Sequence, residues 1–278
     1  MSATTLPISN GATAGTAMST ARTRNAYFTE IKFECLRALR APAFSIPFLL
    51  LPLVLYVLFG ILLAGNMSHG DSTVAKIMFV NWAVFGVMGP GMFGFGIFVA
   101  NEREQGLLTL KRALPMPNGA SLLAKLVMVT LFAAIVMLTL IAAAVAMGHP
   151  GLSFGQYVGI ALLDIAGSLP FGAIGLFIGT RASSKGAPAF ANLAYLPFMH
   201  LGGLFYPLPK SVQPLEFISP AFYLDKLGLR MVNAPSLDVL SKIQGASSAG
   251  GPLLYVAVLA IVTLLFTALA IRRLARVG

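Results

Sequence analysis

One short stretch of this chain groups charged and apolar side chains closely enough to bind another molecule: residues 101–112 read NEREQGLLTLKR. Asn101 is placed to cap a helix with acidic residues in its first turn and basic residues in its last, as the helix dipole favours. Pro115 and Pro117 are expected to end this helix. Leu107 and Leu110 add apolar surface. The stretch therefore predicts a short helix that docks on another protein, with an ordinary connecting loop as the alternative.

Asp164 is an acidic residue that lies well inside an apolar segment. A charge inside a membrane is costly and is commonly functional. Its carboxylate is expected either to contact a cationic or hydroxylated substrate, or to be a protonated or paired structural group beside Ser168. Asn81 and Asn192 are further polar residues in apolar segments. We treat both as candidates for a substrate pathway, although such amides more often form hydrogen bonds between helices.

Several kinds of catalytic site are not predicted. No GxxxxGKS or GxxxxGKT stretch occurs, so the chain is not expected to bind ATP phosphates itself. Residues 89–94 satisfy a GxGxxG pattern, but this pattern and the GxxxG of residues 175–179 lie in apolar segments, where small residues allow close helix packing. The single cysteine excludes an intramolecular disulfide, and three scattered histidines predict no metal site. One intramembrane aspartate makes no protease dyad, so no enzymatic activity is expected.

The composition shows what kind of fold must position these residues. Of 278 residues, 57% are hydrophobic and 10% charged, against about 25% charged in soluble domains. Mean hydropathy is +0.84. The sequence therefore predicts an all-α polytopic membrane protein. Six segments are long enough to cross a bilayer as helices, at about 20 residues each: 44–64, 78–100, 122–147, 156–179, 188–206 and 252–271.

The basic residues predict the orientation of these six segments. Lys and Arg are retained in cytoplasmic loops. If the amino terminus is inside, only five of the 19 Lys and Arg residues fall outside: Lys76, Lys210, Lys226, Arg230 and Lys242. Both termini are therefore expected in the cytoplasm, with a bacterial inner membrane as the location. The net charge of +10 indicates anionic lipid head groups, and not nucleic acid, as the partner of the basic residues.

The amino-terminal region divides into two parts before the first span. Residues 1–21 are mainly small and polar and predict a disordered tail, without the pattern of a secretory signal. Residues 22–278 form the predicted transmembrane domain. Between Tyr27 and Arg40 one helical stripe is apolar, whereas Phe33 lies off it; the stripe consists of Tyr27, Phe28, Ile31, Cys35, Ala38 and Leu39. This pattern predicts a basic amphipathic helix along the inner membrane surface, ended by Pro42.

The Glu102–Gly106 stretch, followed by a proline, resembles the coupling segment of permeases of the type-2 ABC exporter family, with Leu107 where threonine is common. A second stretch, residues 203–209 followed by 218–223, resembles the proline-bearing turn and outer half-helices of that family. The resemblance covers roughly residues 24 to 275. It implies a cytoplasmic coupling helix that fits a cleft in a separate ATPase subunit. The residues assigned to this contact are Glu102, Arg103, Glu104, Gly106, Leu107 and Leu110.

The resemblance also implies how the protein works. Two permeases, as a homodimer or heterodimer, would surround a substrate pathway in the lipid bilayer, with Asp164, Asn81 and Asn192 as candidates to line it. No cofactor is expected on the chain itself, because ATP and Mg would bind the partner ATPase. The direction would be export, and outer loops that are short except for residues 207–251 favour a small amphipathic or lipid-like compound such as a drug. The alternatives are a subunit that exports lipid-linked polysaccharide and a non-ABC secondary transporter, although no internal repeat supports the latter.

Overall fold

A computed structural model describes residues 20–63, 72–113, 117, 119–147, 151–205, 208–209, 211–232 and 250–277. Within these ranges the chain forms helices and no strands, which confirms the all-α prediction. The predicted tail, residues 1–21, lies outside the described residues except for its last two, which begin the first helix.

The helices follow one another along the chain in the following order. They are α1 (Thr20–Leu39), α2 (Pro42–Leu55) with a π-helical continuation (Tyr56–Leu63), α3 (Ser72–Gly89) with a π-helical continuation (Pro90–Gly94) into α4 (Phe95–Glu104), α5 (Leu107–Ala113), α6 (Ala120–Ala146), α7 (Phe154–Arg181), α8 (Ala187–Leu201), a 3-10 helix (Gln213–Ile218), α9 (Pro220–Met231) and α10 (Pro252–Val277).

Five helical segments of the described chain are long and apolar enough to cross a membrane: Pro42–Leu63, Thr73–Glu104, Ala120–Ala146, Phe154–Arg181 and Pro252–Ala275. They match five of the six predicted spans. The remaining one, predicted at 188–206, appears as α8, which has 15 residues. At 1.5 Å per residue it is about 22 Å long, less than the hydrocarbon core of about 30 Å. Gly203 turns the chain with a φ of 70° soon after α8, so a count of six stays a prediction.

The helix predicted before the first span is present as α1, and it packs along α6. Its buried face holds Cys35 and Ala38, as the apolar stripe predicted, but also Glu34. Phe28, placed on the same stripe, is instead 66% exposed. A buried carboxylate on this face requires a cation on the neighbouring helix.

The continuous α3–α4 segment forms the centre of the bundle and packs against α7 through glycines. A Cβ on Gly175 would lie 2.4 Å from the backbone oxygen of Met92, and a Cβ on Gly179 would lie 2.6 Å from that of Gly96. Gly91 meets the backbone of α7 in the same way. Only glycine permits such close contact, which confirms that both glycine patterns serve packing.

The bundle has two ends, which we name after α5 and α9. Near the α9 end, the chain returns from α8 through the 3-10 helix into α9, which is buried against α3, α7 and α10. Leu224 covers Gly167, and Met231 covers Gly159, so α9 runs antiparallel to α7. Two short helices thus lie where the resemblance implied half-helices between the last two predicted spans.

Candidate functional site

The charged stretch at the α5 end is divided differently from the prediction. Asn101 does not cap a new helix, because α4 continues through it to Glu104. The break falls at Gly106, whose φ of 71° is the left-handed conformation that commonly ends a helix. The Gly106 amide donates to the carbonyl of Arg103 at 3.2 Å, and α5 then begins at Leu107. The predicted short helix exists, but it carries none of the acidic residues.

Glu102 is buried, and its carboxylate contacts basic side chains from three helices. Arg37 Nη1 of α1 lies 2.8 Å from its Oε1, and Lys111 Nζ of α5 lies 3.4 Å from the same oxygen. Lys125 Nζ of α6 lies 3.0 Å from Oε1 and 2.9 Å from Oε2. Because the side chain is 2% exposed, its charge is compensated within the chain.

Two further carboxylates complete this ionic cluster. Lys125 Nζ lies 2.6 Å from Glu34 Oε1, and Lys111 Nζ lies 2.7 Å from Glu30 Oε1. Burial alone would lower the pKa of the Lys111 ammonium, but the hydrogen bond to Glu30 and the nearby carboxylates outweigh it and raise that pKa above its usual value. We define the ionic cluster by its three acidic and three basic residues: Glu30, Glu34, Arg37, Glu102, Lys111 and Lys125. The cluster joins α1, α4, α5 and α6.

Arg103 and Glu104 bind a different part of the molecule, the carboxyl end of α7 and the segment after it. The Arg103 guanidinium donates to the carbonyls of Thr180 and, at 2.6 Å, Ala182. A cation suits the carboxyl end of a helix, where carbonyls lack partners. Glu104 accepts from the backbone amide of Ser184 at 2.9 Å and from the Ser184 hydroxyl. The chain between α7 and α8 is thereby attached to the break before α5.

The leucines of α5 differ in exposure. Leu110 is 59% exposed, whereas Leu107 is half-buried. Leu108 lines a cavity of about 370 Å³ together with Lys111, Lys125 and residues of α6, α7 and α10. Leu110 is therefore the leucine of this stretch most available to another protein.

The three candidate pathway residues lie apart from one another. Asn192 lines a cavity of about 250 Å³ between α2, α3 and α8, whose walls include Phe48, Phe93 and Tyr195. Asn81 is buried elsewhere and donates through Nδ2 to the carbonyl of Leu204 at 2.7 Å. Asn81 thus links the central segment to the turn after α8.

Asp164 is fully buried on α7 and does not pair with Ser168, one of the possibilities left open by the sequence. The Ser168 hydroxyl donates to the carbonyl of Ile165 at 2.7 Å instead. Neither Asp164 oxygen has a hydrogen-bond partner among the described residues. Asp225 of α9 is likewise buried, and α9 packs on α7.

Sequence reasoning missed most partners of the predicted residues. Glu34 and Arg37 lie in the helix predicted along the membrane surface, and Asp225 lies in the segment predicted between the last two spans. One signal for the cluster was present: Lys125 stands inside the segment predicted as the third span, where an uncompensated charge is costly. It indicated that a carboxylate had to lie nearby, but not which one.

Comparison with known proteins agrees with this architecture. A family model described as ABC-2 type transporter matches residues 25–225, more than half of the chain. "Putative transport permease YvfS" of Bacillus subtilis (strain 168) is 24% identical over 206 residues, which cover 73% of this chain and 84% of that protein. Permeases of this family are membrane subunits of ABC transporters and generally pair with an ATPase subunit. This chain, a membrane protein of several apolar helices, belongs to the ABC-2 type transporter family.

Proposed function

We propose that this chain is the membrane-spanning subunit of an ATP-driven exporter, in which a separate ATPase binds ATP and Mg and docks on α5. The observation that carries the proposal is the contrast within α5. Lys111 fixes this helix to α1 and α4, while Leu110 projects an apolar side chain away from the bundle. A helix that is held on one side and apolar on the other suits a docked lever.

The contacts around α5 support a route for movement. A displacement of α5 would act through Lys111 on Glu30 and Glu102, and so on α1 and the central segment. The central segment would act on α7 and α8 through Arg103 and Glu104. In this proposal Glu102 and Arg103 serve coupling from inside the permease, and Glu104 does so through Ser184. Gly106 permits the turn before α5, and the leucines contact the ATPase.

The cavity between α2, α3 and α8 supports a small amphipathic or lipid-like substrate, such as a drug. Its aromatic walls offer apolar contact, and Asn192 offers a single amide for hydrogen bonding. The lipid-facing or partner-facing side of α2 and α8 is apolar, with Leu51 50% and Leu193 68% exposed. A second permease covering these faces would enclose the pathway. A lipid-linked glycan would need a wider channel than this cavity.

The proposed orientation places both termini in the cytoplasm of a bacterium, with α5 beside the inner leaflet. It rests on the distribution of Lys and Arg between the spans. The α5 end then faces the ATPase, and the α9 end faces outward.

Truncation of one leucine tests the docking surface. Leu110→Ala is expected to weaken co-purification of the cognate ATPase about tenfold in Kd, since an interface leucine that contributes about 1.4 kcal/mol changes affinity by that factor. Leu253→Ala is the matched control, because Leu253 is 84% exposed at the first turn of α10, near the α9 end. The amount of permease in the membrane should be the same for both. Equal ATPase binding by the two variants would show that α5 is not the docking helix.

A further inference from the structure

Two buried acidic residues, Asp164 and Asp225, lie on helices that pack against each other, α7 and α9. Leu224 of α9 fills the space over Gly167 of α7. Because the two helices are antiparallel, Asp225, one residue after Leu224, and Asp164, three residues before Gly167, differ in level along the helices by about 3 Å. At 1.5 Å per residue, Asp164 is about 15 Å from the first residue of α7, and therefore well inside the bundle.

Both side chains are removed from solvent without adequate partners. Asp164 is 0% exposed and Asp225 is 1% exposed. Three of their four carboxylate oxygens have no hydrogen-bond partner within the described part of the chain. The fourth, Asp225 Oδ2, lies 3.6 Å from Lys226 Nζ. Burying an ionised carboxylate without partners is unfavourable, and taking up a proton removes that cost.

The other titratable groups on the elements around this pair do not supply the missing positive charge. Arg230 donates to the carbonyl of Gly250 at 2.9 Å and lies over the Tyr255 ring. Buried Glu216, on the 3-10 helix before α9, adds a further acidic group. Further titratable groups of these elements are Lys76 on α3, tyrosines and a histidine, and a charged set that lies towards the α5 end. The tyrosines and the histidine are Tyr157, Tyr195, Tyr223 and His200, and the charged set consists of Glu102, Arg103, Lys125, Arg181, Arg272 and Arg273. Among the described residues of α7, α9 and the 3-10 helix near the pair, three buried carboxyl groups therefore accompany one lysine, Lys226.

We infer that Asp164 and Asp225 form a proton-binding site, and that the folded protein holds at least one proton on this pair at neutral pH. The ligand is a proton, because the described residues contain no group of three or more His, Cys, Asp or Glu side chains placed to hold a metal ion. With the proton bound, α9 packs on α7 without like charges at the contact. Without it, two carboxylates repel each other across that contact.

The packing of α9 on α7 is expected to depend on pH. The folded chain holds a proton that the unfolded chain releases at neutral pH, so low pH favours the packed α9 and rising pH loosens it. The site lies near the α9 end and makes no contact with α5. The proton site is therefore independent of the proposed ATPase docking on α5.

Infrared spectroscopy of the purified permease in detergent micelles tests the site without a substrate. A protonated carboxyl has a carbonyl band separate from those of carboxylates and amides. At pH 7 we expect this band in the wild-type protein, its loss or reduction in Asp164→Asn and in Asp225→Asn, and its decline on alkalinisation. Glu104→Gln is the control, because Glu104 is exposed and should contribute nothing to the band.

Isotope labelling supplies a measurement that needs no substitution. Carboxyl-labelled aspartate incorporated into the wild-type chain should shift the protonated band, whereas labelled glutamate should not. A wild-type spectrum without the band at pH 7, or a band that shifts only with labelled glutamate, would overturn the proton site. A band that persists unchanged in both asparagine variants would overturn it as well.

Discussion

Lys125 is the residue on which the ionic cluster depends most, and Lys125→Met tests that dependence. The lysine is 2% exposed and contacts Glu34 at 2.6 Å and Glu102 at 3.0 Å. Methionine keeps an unbranched side chain of similar length while removing the charge. The substitution leaves two buried carboxylates with fewer partners, and it changes no exposed surface.

The expected loss of stability depends on which cations remain beside each carboxylate. Removing one partner of a buried ion pair costs about 3–5 kcal/mol. Glu102 keeps Arg37 at 2.8 Å, so its loss is partly compensated. Glu34 keeps only the Arg37 contact at 3.4 Å and becomes the main source of destabilisation. We therefore expect the lower end of the range, about 3 kcal/mol, which corresponds to about a 100-fold change in the unfolding equilibrium.

Trp82 offers a direct assay of this change. It is the only tryptophan of the chain and is 4% exposed. Its ring packs edge-on against that of Phe205, with the ring centroids 4.8 Å apart. Unfolding in mixed detergent micelles should therefore change its fluorescence. Lys185→Met is the matched control, since Lys185 is exposed, and it should unfold like the wild type.

A second substitution separates the ionic explanation from a packing defect. Adding Glu34→Gln to Lys125→Met removes the carboxylate left without its cation, and we expect it to restore at least half of the lost stability. The buried cluster would be refuted if the free energy of unfolding of Lys125→Met stayed within about 1 kcal/mol of the wild-type value, which is the range of a surface ion pair. If the double variant is no more stable than Lys125→Met, the loss of stability comes from packing.

Two further predictions concern packing and orientation. Gly175→Ala should lower the midpoint of thermal unfolding sharply, because its Cβ would lie 2.4 Å from the Met92 backbone oxygen. Gly155→Ala is the control and should leave the midpoint unchanged, since no heavy atom lies within 4 Å of its Cβ. Equal midpoints for the two variants would contradict the close contact. A reporter enzyme that folds only outside the inner membrane should be inactive when fused to Gly278, and activity there would refute the cytoplasmic carboxyl terminus.

The sequence was sufficient to predict those features that depend on one helix at a time. Five of the spans follow from runs of apolar residues that must be covered by lipid or protein. The packing role of Gly175 and Gly179 also follows locally, because glycine inside an apolar helix has few other uses. The length of α8 did not follow, because residues after Leu201 are apolar enough to continue a span. The turn at Gly203 and the bond from Asn81 to Leu204 end it instead.

The pairing of distant charges could not be predicted from one sequence. Glu34 and Lys125 are 91 positions apart, and they meet because α1 packs along α6. Asp164 and Asp225 are both buried near the packing of α9 on α7, because α9 returns into the bundle. In both cases the sequence showed a charge in an apolar setting, which indicates that a partner is needed. The identity of the partner depends on tertiary contacts that local patterns do not contain.

The Glu102-Arg103-Glu104 stretch shows why a motif predicted as one surface has several roles. Successive residues of an α-helix point about 100° apart, so three in a row cannot share a face. Glu102 turns inward to the ionic cluster, Arg103 turns to the carboxyl end of α7, and Glu104 turns to Ser184. One turn of helix therefore connects α1, α5, α6, α7 and the segment between α7 and α8. Charge reversal at Glu102 would break the interior of the permease, so it cannot report on ATPase docking, whereas Leu110, outside these contacts, can.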